Sequence, residues 1–155
     1  MGNLRRVVVQ NEDFDSGQEI AWLGDAQAGG IASFIGIVRT SGPRRVAALT
    51  LEYYPGMTEK KLDGIAAEAA RRWPLTGCTI IHRAGRLLPG ENIVFVGAAS
   101  AHRDAALQAV AFLIDWLKTR APFWKAEEYE NGEREWVVAR AADDAAALAW
   151  NVDEP

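Results

Sequence analysis

The sequence predicts an α+β fold. Short β-branched segments cluster around helices and are joined by hairpin-like turns, without the regular strand–helix alternation of a doubly wound parallel sheet. Neither GxGxxG nor GxxxxGK(S/T) occurs, so the glycine-rich phosphate cradles of dinucleotide-binding and P-loop folds are missing. Asn131-Gly132, flanked by strand-like runs, is the strongest hairpin signal in the chain.

Each element has its own local reason. Residues 4–10 (LRRVVVQ) form a short β-branched strand. Ser16-Gly17-Gln18-Glu19 has the form of a capping box, opening a helix that ends near Gly24. Residues 30–39 and 46–54 read as strands joined by a turn-rich loop over 40–45. After Pro55-Gly56, Thr58 is placed to cap a helix running to Trp73. Its apolar positions Leu62, Ile65, Ala66, Ala69 and Trp73 share one face, and Pro74 stops it. Strands over 78–87 and 92–99 meet at Pro89-Gly90. Ser100 then caps the longest helix, 101 to about 120, closed by Pro122. Strands at 123–130 and 133–139 flank the Asn-Gly turn, and a short alanine-rich helix covers 141–150.

With 155 residues, 49% hydrophobic and 25% charged, the chain suits one folding unit over 1–155 with a real core. No apolar run approaches the roughly 18 residues of a membrane helix, and the N-terminus turns polar too early for a signal peptide. The expectation is a cytoplasmic protein without a membrane anchor. A net charge of −4 argues against nucleic acid as a partner. One cysteine excludes an internal disulfide or a cysteine-built zinc site, and His82 and His102 lack metal-ligand spacing, so no metal is expected.

The chemistry must therefore come from few groups. On the long helix, at about 100° per residue, Leu107, Val110, Ala111, Ile114 and Leu117 form a stripe roughly 120° wide. Arg103 and Lys118 fall inside it, where charge is costly unless it reaches water, a partner or a ligand. Lys118 also suits the last turn, where a cation complements the helix dipole. His102-Arg103 opens the helix, where unpaired amides favour an anion; pairing with a surface acid is the plainer alternative. Lys118 and Lys125 lie seven residues apart across the bend at Pro122. The bend could bring both ammonium groups to one cleft, where repulsion and partial burial tune an amine for acid, base or nucleophile work. Two solvated lysines is the simpler reading of that spacing alone. His82 reads as a strand-face residue with a hydrogen bond, and Cys78 as a small buried hydrophobe.

Four stretches together resemble the large, catalytic subunit of molybdopterin synthase: FIGIVR (34–39), LTLEYYPGMTEKKL (49–62), IHRAGRLLPGENIVFVGAASAHR (81–103) and IDWLKTRAPFWKAE (114–127). The resemblance spans about residues 30–140. It implies an α/β-hammerhead-like domain with an additional antiparallel hairpin region and no resident cofactor. It implies a sulfurtransferase of molybdenum cofactor biosynthesis that moves sulfur from a C-terminal thiocarboxylate onto cyclic pyranopterin monophosphate, precursor Z, forming the dithiolene of molybdopterin. The implied partner is a small ubiquitin-like sulfur carrier ending in Gly-Gly, bound to a homodimer at the centre of a heterotetramer. Carried over position by position, the catalytic lysines are Lys118 and Lys125. Arg39, His102 and Arg103 hold the anion, Phe34 lines the pocket, Glu127 lies near Lys125, and Arg140 binds substrate across the dimer. Ile114 stands where some family members have methionine, and the hairpin loop over 128–135 looks slightly long. Two other readings stay open at this level: a non-catalytic pterin- or anion-binding partner of the same fold, and a persulfide carrier using Cys78.

Overall fold

The computed structural model describes residues 4–25, 27–40, 42, 44–137 and 141–150, with 141–144 described by backbone alone. In chain order the elements are β1 (Leu4–Gln10), α1 (Ser16–Leu23), β2 (Gly30–Ile37), β3 (Val46–Tyr53), α2 (Met57–Arg72), β4 (Leu75–Arg83), β5 (Gly85–Leu87), β6 (Asn92–Ser100), α3 (Arg103–Thr119), β7 (Phe123–Tyr129), β8 (Arg134–Trp136) and α4 (Ala141–Leu148). They build two four-stranded sheets, ordered β1-β4-β6-β2 and β5-β3-β7-β8. In the first, β1 runs parallel to β4, and β6 is antiparallel to both its neighbours. The second is antiparallel throughout. This is the expected α+β architecture, and no described helix is long and apolar enough to cross a membrane.

The first sheet is covered on both faces. On one, Leu62, Ile65 and Ala69 of α2 and Ala106, Ala109 and Leu113 of α3 pack on Cys78, Ile80, Val96 and Ala98. On the other, Leu23 of α1 meets Ile81, Phe95 and Ala99. Each large side chain so buried contributes about 1.5–3 kcal/mol. Gly97 is needed at that second contact, because a Cβ there would stand 2.5 Å from Leu23 Cδ1. At the far end, the Trp150 indole nitrogen donates to Asp115 Oδ2 at 2.7 Å and its ring packs edge-on to Trp73 and Phe112.

Several local expectations are corrected. Asp15, not Ser16, caps α1, accepting from the Gln18 amide at 3.1 Å. Thr58 lies inside α2 rather than at its cap; Gly56 takes that position and donates its amide to the Glu59 carboxylate. Ser100 closes β6, its hydroxyl donating to Pro74 O, and His102 is the N-cap residue of α3 without a side-chain cap bond. The strand expected over 78–87 breaks at Ala84, where Gly85 (φ +91°) sends β5 into the second sheet. The hairpin forms as expected. Gly132 takes φ +88°, and Asn131 Oδ1 accepts from the Glu133 amide at 2.9 Å.

The largest correction concerns α3. Its buried residues are Ala105, Ala106, Ala109, Val110, Phe112, Leu113 and Trp116, while Leu107 is 59% exposed. The core-facing arc is thus turned by about 120° from the expected stripe. Arg103 and Lys118 lie outside that arc, so neither is a charge forced against the core.

Candidate active site

The end of α3 and the start of β7 bring the two lysines together. The helix closes as the Arg120 amide donates to Trp116 O at 2.8 Å and the Thr119 hydroxyl to Asp115 O at 3.0 Å. The chain then turns at Ala121-Pro122, with the Phe123 amide donating back to Ala121 O at 2.8 Å. Thr58 holds the turn from outside: its fully buried hydroxyl donates to Pro122 O at 3.3 Å and accepts from the Tyr54 amide at 3.1 Å. β7 then pairs with β3, setting Phe123, Lys125 and Glu127 opposite Tyr53, Leu51 and Leu49. Strand alternation puts those three β7 side chains on one face.

That face closes a cavity of about 520 Å³. Lys118, Lys125, Glu127 and Arg39 line it as its charged groups, against Val38, Leu49, Ile93, Leu117 and Val137. A smaller inner recess of about 40 Å³ adjoins it, sharing Ile93, Leu117, Lys118 and Lys125. Phe34, Ile114 and His82 also line that recess. Six expected site or pocket residues therefore converge: Phe34, Arg39, Ile114, Lys118, Lys125 and Glu127. The Ile114–Leu117–Lys118 part of the expected stripe on α3 faces this space rather than the core.

Glu127 is engaged beyond the cavity. Its Oε2 accepts from the Tyr129 hydroxyl at 2.8 Å, and that bond pushes the phenol's pKa upward. Arg44 covers the Tyr129 ring at 3.9 Å and pairs with Glu133 and Glu135, which holds the Glu135 carboxyl below its usual range. The hairpin thus fixes the outer wall of the cavity.

His102 and Arg103 are not brought there. Both are exposed at the start of α3, and neither lines the cavity. Fifteen residues at about 1.5 Å each put Arg103 roughly 22 Å along the helix from Lys118. Arg140 lies outside the described residues. Cys78 is fully buried, and burial pushes its thiol to about 12, which disqualifies it as a persulfide carrier in the folded chain.

His82 is the participant that sequence reasoning passed over. Its bond was expected: Nδ1 lies 2.8 Å from the Arg83 carbonyl. Its place in the recess was not. Alternation along β4 puts Cys78, Ile80 and His82 on the α3 side of the sheet, and that was the available signal. Burial, the largest cause, together with the charges of Lys125 and Lys118, lowers the imidazole to about 4 against a bond to Arg83 that raises it. His82 is therefore neutral at pH 7.

A family model described as MoaE protein matches residues 9–120. The chain belongs to the MoaE protein family. A Pseudomonas aeruginosa relative named molybdopterin synthase catalytic subunit is 54% identical over 145 residues, covering 92% of this chain and 96% of that one. A solved MoaE protein of molybdopterin biosynthesis from Burkholderia ambifaria is 47% identical with a TM-score of 0.79, covering 99% of this chain and 100% of that one. The crystal structure of molybdopterin synthase from Staphylococcus aureus shares 29% identity at a TM-score of 0.78, covering 85% of this chain and 96% of that one. In this MoaE-family chain the matched span contains Phe34, Arg39, His102, Arg103 and Lys118, and β7 adds Lys125 and Glu127 just beyond it.

Proposed function

We propose that this chain is the catalytic subunit of a cytoplasmic molybdopterin synthase, a sulfurtransferase that converts precursor Z to molybdopterin. The observation that carries the reading is the meeting of Lys118 and Lys125 in one cavity with Arg39 at its edge. Sulfur is delivered as the thiocarboxylate at the Gly-Gly end of a small ubiquitin-like subunit. A tail without side chains suits a narrow recess and binds through its main chain. Positive charge from the two lysines attracts the thiocarboxylate. The same groups supply and accept protons as sulfur bonds to the pterin carbon, the displaced oxygen leaves as water, and water cleaves the carrier's carbon–sulfur bond to return its carboxylate. Arg39 takes part of the substrate's anionic load. Phe34 and Ile114 exclude water from the inner end.

His102 and Arg103 enter the same scheme through a second copy of the chain. About 22 Å of helix separates them from Lys118 in one chain. The homodimer at the centre of a heterotetramer then supplies its partner's helix start to each cavity, and Arg140 works across the same boundary.

Purified chain plus thiocarboxylated small subunit should convert precursor Z to molybdopterin. Lys118→Ala should lower that turnover roughly a hundredfold or more, the scale of a lost acid–base group. Full turnover in that variant would refute the role of Lys118. A complex that binds the pterin and forms no dithiolene would make the chain a binding partner instead.

A further inference from the structure

His82 is nearly completely buried, yet the sulfur-transfer scheme above gives it no task. Two contacts settle how its ring is held. One face stacks on Phe123, with centroids 3.9 Å apart and planes 18° from parallel. Nδ1 sits 2.8 Å from the Arg83 carbonyl oxygen, which only accepts, so Nδ1 carries the ring proton and donates it. His82 lines the inner recess together with Lys118 and Lys125, and with Nδ1 donating, Nε2 keeps its lone pair as the ring's acceptor nitrogen.

The recess offers that lone pair few alternatives. β2 and β6 contribute Phe34, Gly36, Ile93, Val94 and Val96, and α3 adds Ile114 and Leu117 beside Lys118. The titratable groups facing the imidazole from packed elements are thus Lys118 of α3 and Lys125 of β7; Arg39 and Glu127 line the outer cavity. A neutral acceptor fixed by stacking and by a backbone bond is well suited to orient an ammonium group in an apolar pocket.

We propose that His82 is a positioning residue of this site, its Nε2 lone pair accepting from the Lys125 ammonium group and so holding Lys125 beside Lys118. The proposal deepens the sulfurtransferase reading and rests on it. It also accounts for the Phe123 ring, which fixes the imidazole from β7, the strand that carries Lys125.

Two substitutions separate the ring's two nitrogens. His82→Asn keeps a donor near the Nδ1 position and removes Nε2, whereas His82→Gln places a polar atom near Nε2. In the complex with the thiocarboxylated small subunit, His82→Asn should lower kcat roughly tenfold or more, with KM for precursor Z little changed. His82→Gln should regain most of that loss. Equal losses in both variants, or none in either, would overturn the proposal. A second measurement is independent of turnover: nitrogen NMR of the His82 ring in the full chain. The ring should be the Nδ1-protonated tautomer, titrating near 4, and its midpoint should rise in Lys125→Met because a neighbouring positive charge is removed. An Nε2-protonated ring, or a midpoint unmoved by Lys125→Met, would sink the contact. If the wild-type chain with its thiocarboxylated partner failed to convert precursor Z, the sulfurtransferase reading would fail, and the ring titration would still decide the His82 contact.

Discussion

The two ends of α3 carry the same kinds of charge in opposite settings. At its start, His102 and Arg103 stand exposed, and neither lines the cavity or its inner recess. At its end, Lys118 borders a cavity closed by β7, with Lys125, Arg39 and Glu127 on the same walls. The lysine end is built within one chain, held by the Pro122 turn and by Thr58 beneath it. The arginine end is a helix start whose N-cap residue, His102, makes no side-chain cap bond. On the proposed scheme, one chain holds the lysine half of a site and presents its arginine half to a second copy.

The comparison can be broken at either end. The largest effect belongs to Lys118→Ala, whose hundredfold loss should fall on kcat. Arg103→Ala should act differently, raising KM for the phosphorylated substrate by roughly tenfold through a lost charge-assisted bond, with folding intact because the residue is exposed. Equal kinetic signatures from the two variants would erase the distinction between the ends. The smallest effect sharpens the lysine end alone. Thr58→Val removes the hydroxyl bound to Pro122 O and the Tyr54 amide, and should cost about 1–3 kcal/mol of stability in denaturant unfolding. No loss of stability there would mean that the turn holds its shape without Thr58.

Much of the lysine end was legible in the sequence. The bend at Pro122 allowed Lys118 and Lys125 to share one cleft, but that spacing alone favoured two solvated lysines, and the family resemblance marked the pair. The hairpin at Asn131-Gly132 formed where its φ > 0 requirement placed it. The orientation of α3 was not legible. Leucine at 107 outweighed the alanines at 105, 106 and 109, yet those alanines are buried on the same arc as Phe112, Leu113 and Trp116, where small residues let the helix sit close on the sheet. The helix also has a second apolar arc, Ile114 and Leu117, whose counterpart is a cavity, and a single wheel merges the two. Caps failed for a related reason. Ser100 was read as the cap, but α3 starts at Arg103, so its hydroxyl donates to Pro74 O and accepts from the His102 amide ahead of the first turn. His82 was read correctly as a bonded strand residue, but nothing local shows that its other nitrogen borders the lysines.

The most direct test of the central claim mixes two impaired proteins. They are assayed with precursor Z well below its KM, where each variant alone converts about a tenth of the wild-type amount or less. Lys118→Ala and Arg103→Ala variants, co-refolded in equal amounts and supplied with thiocarboxylated small subunit, should recover about a quarter of wild-type conversion of precursor Z, since half the dimers are mixed and each mixed dimer keeps one intact site. Recovery at that level supports a site assembled from the lysine end of one chain and the arginine end of another. Activity no higher than the average of the two variants alone would contradict it.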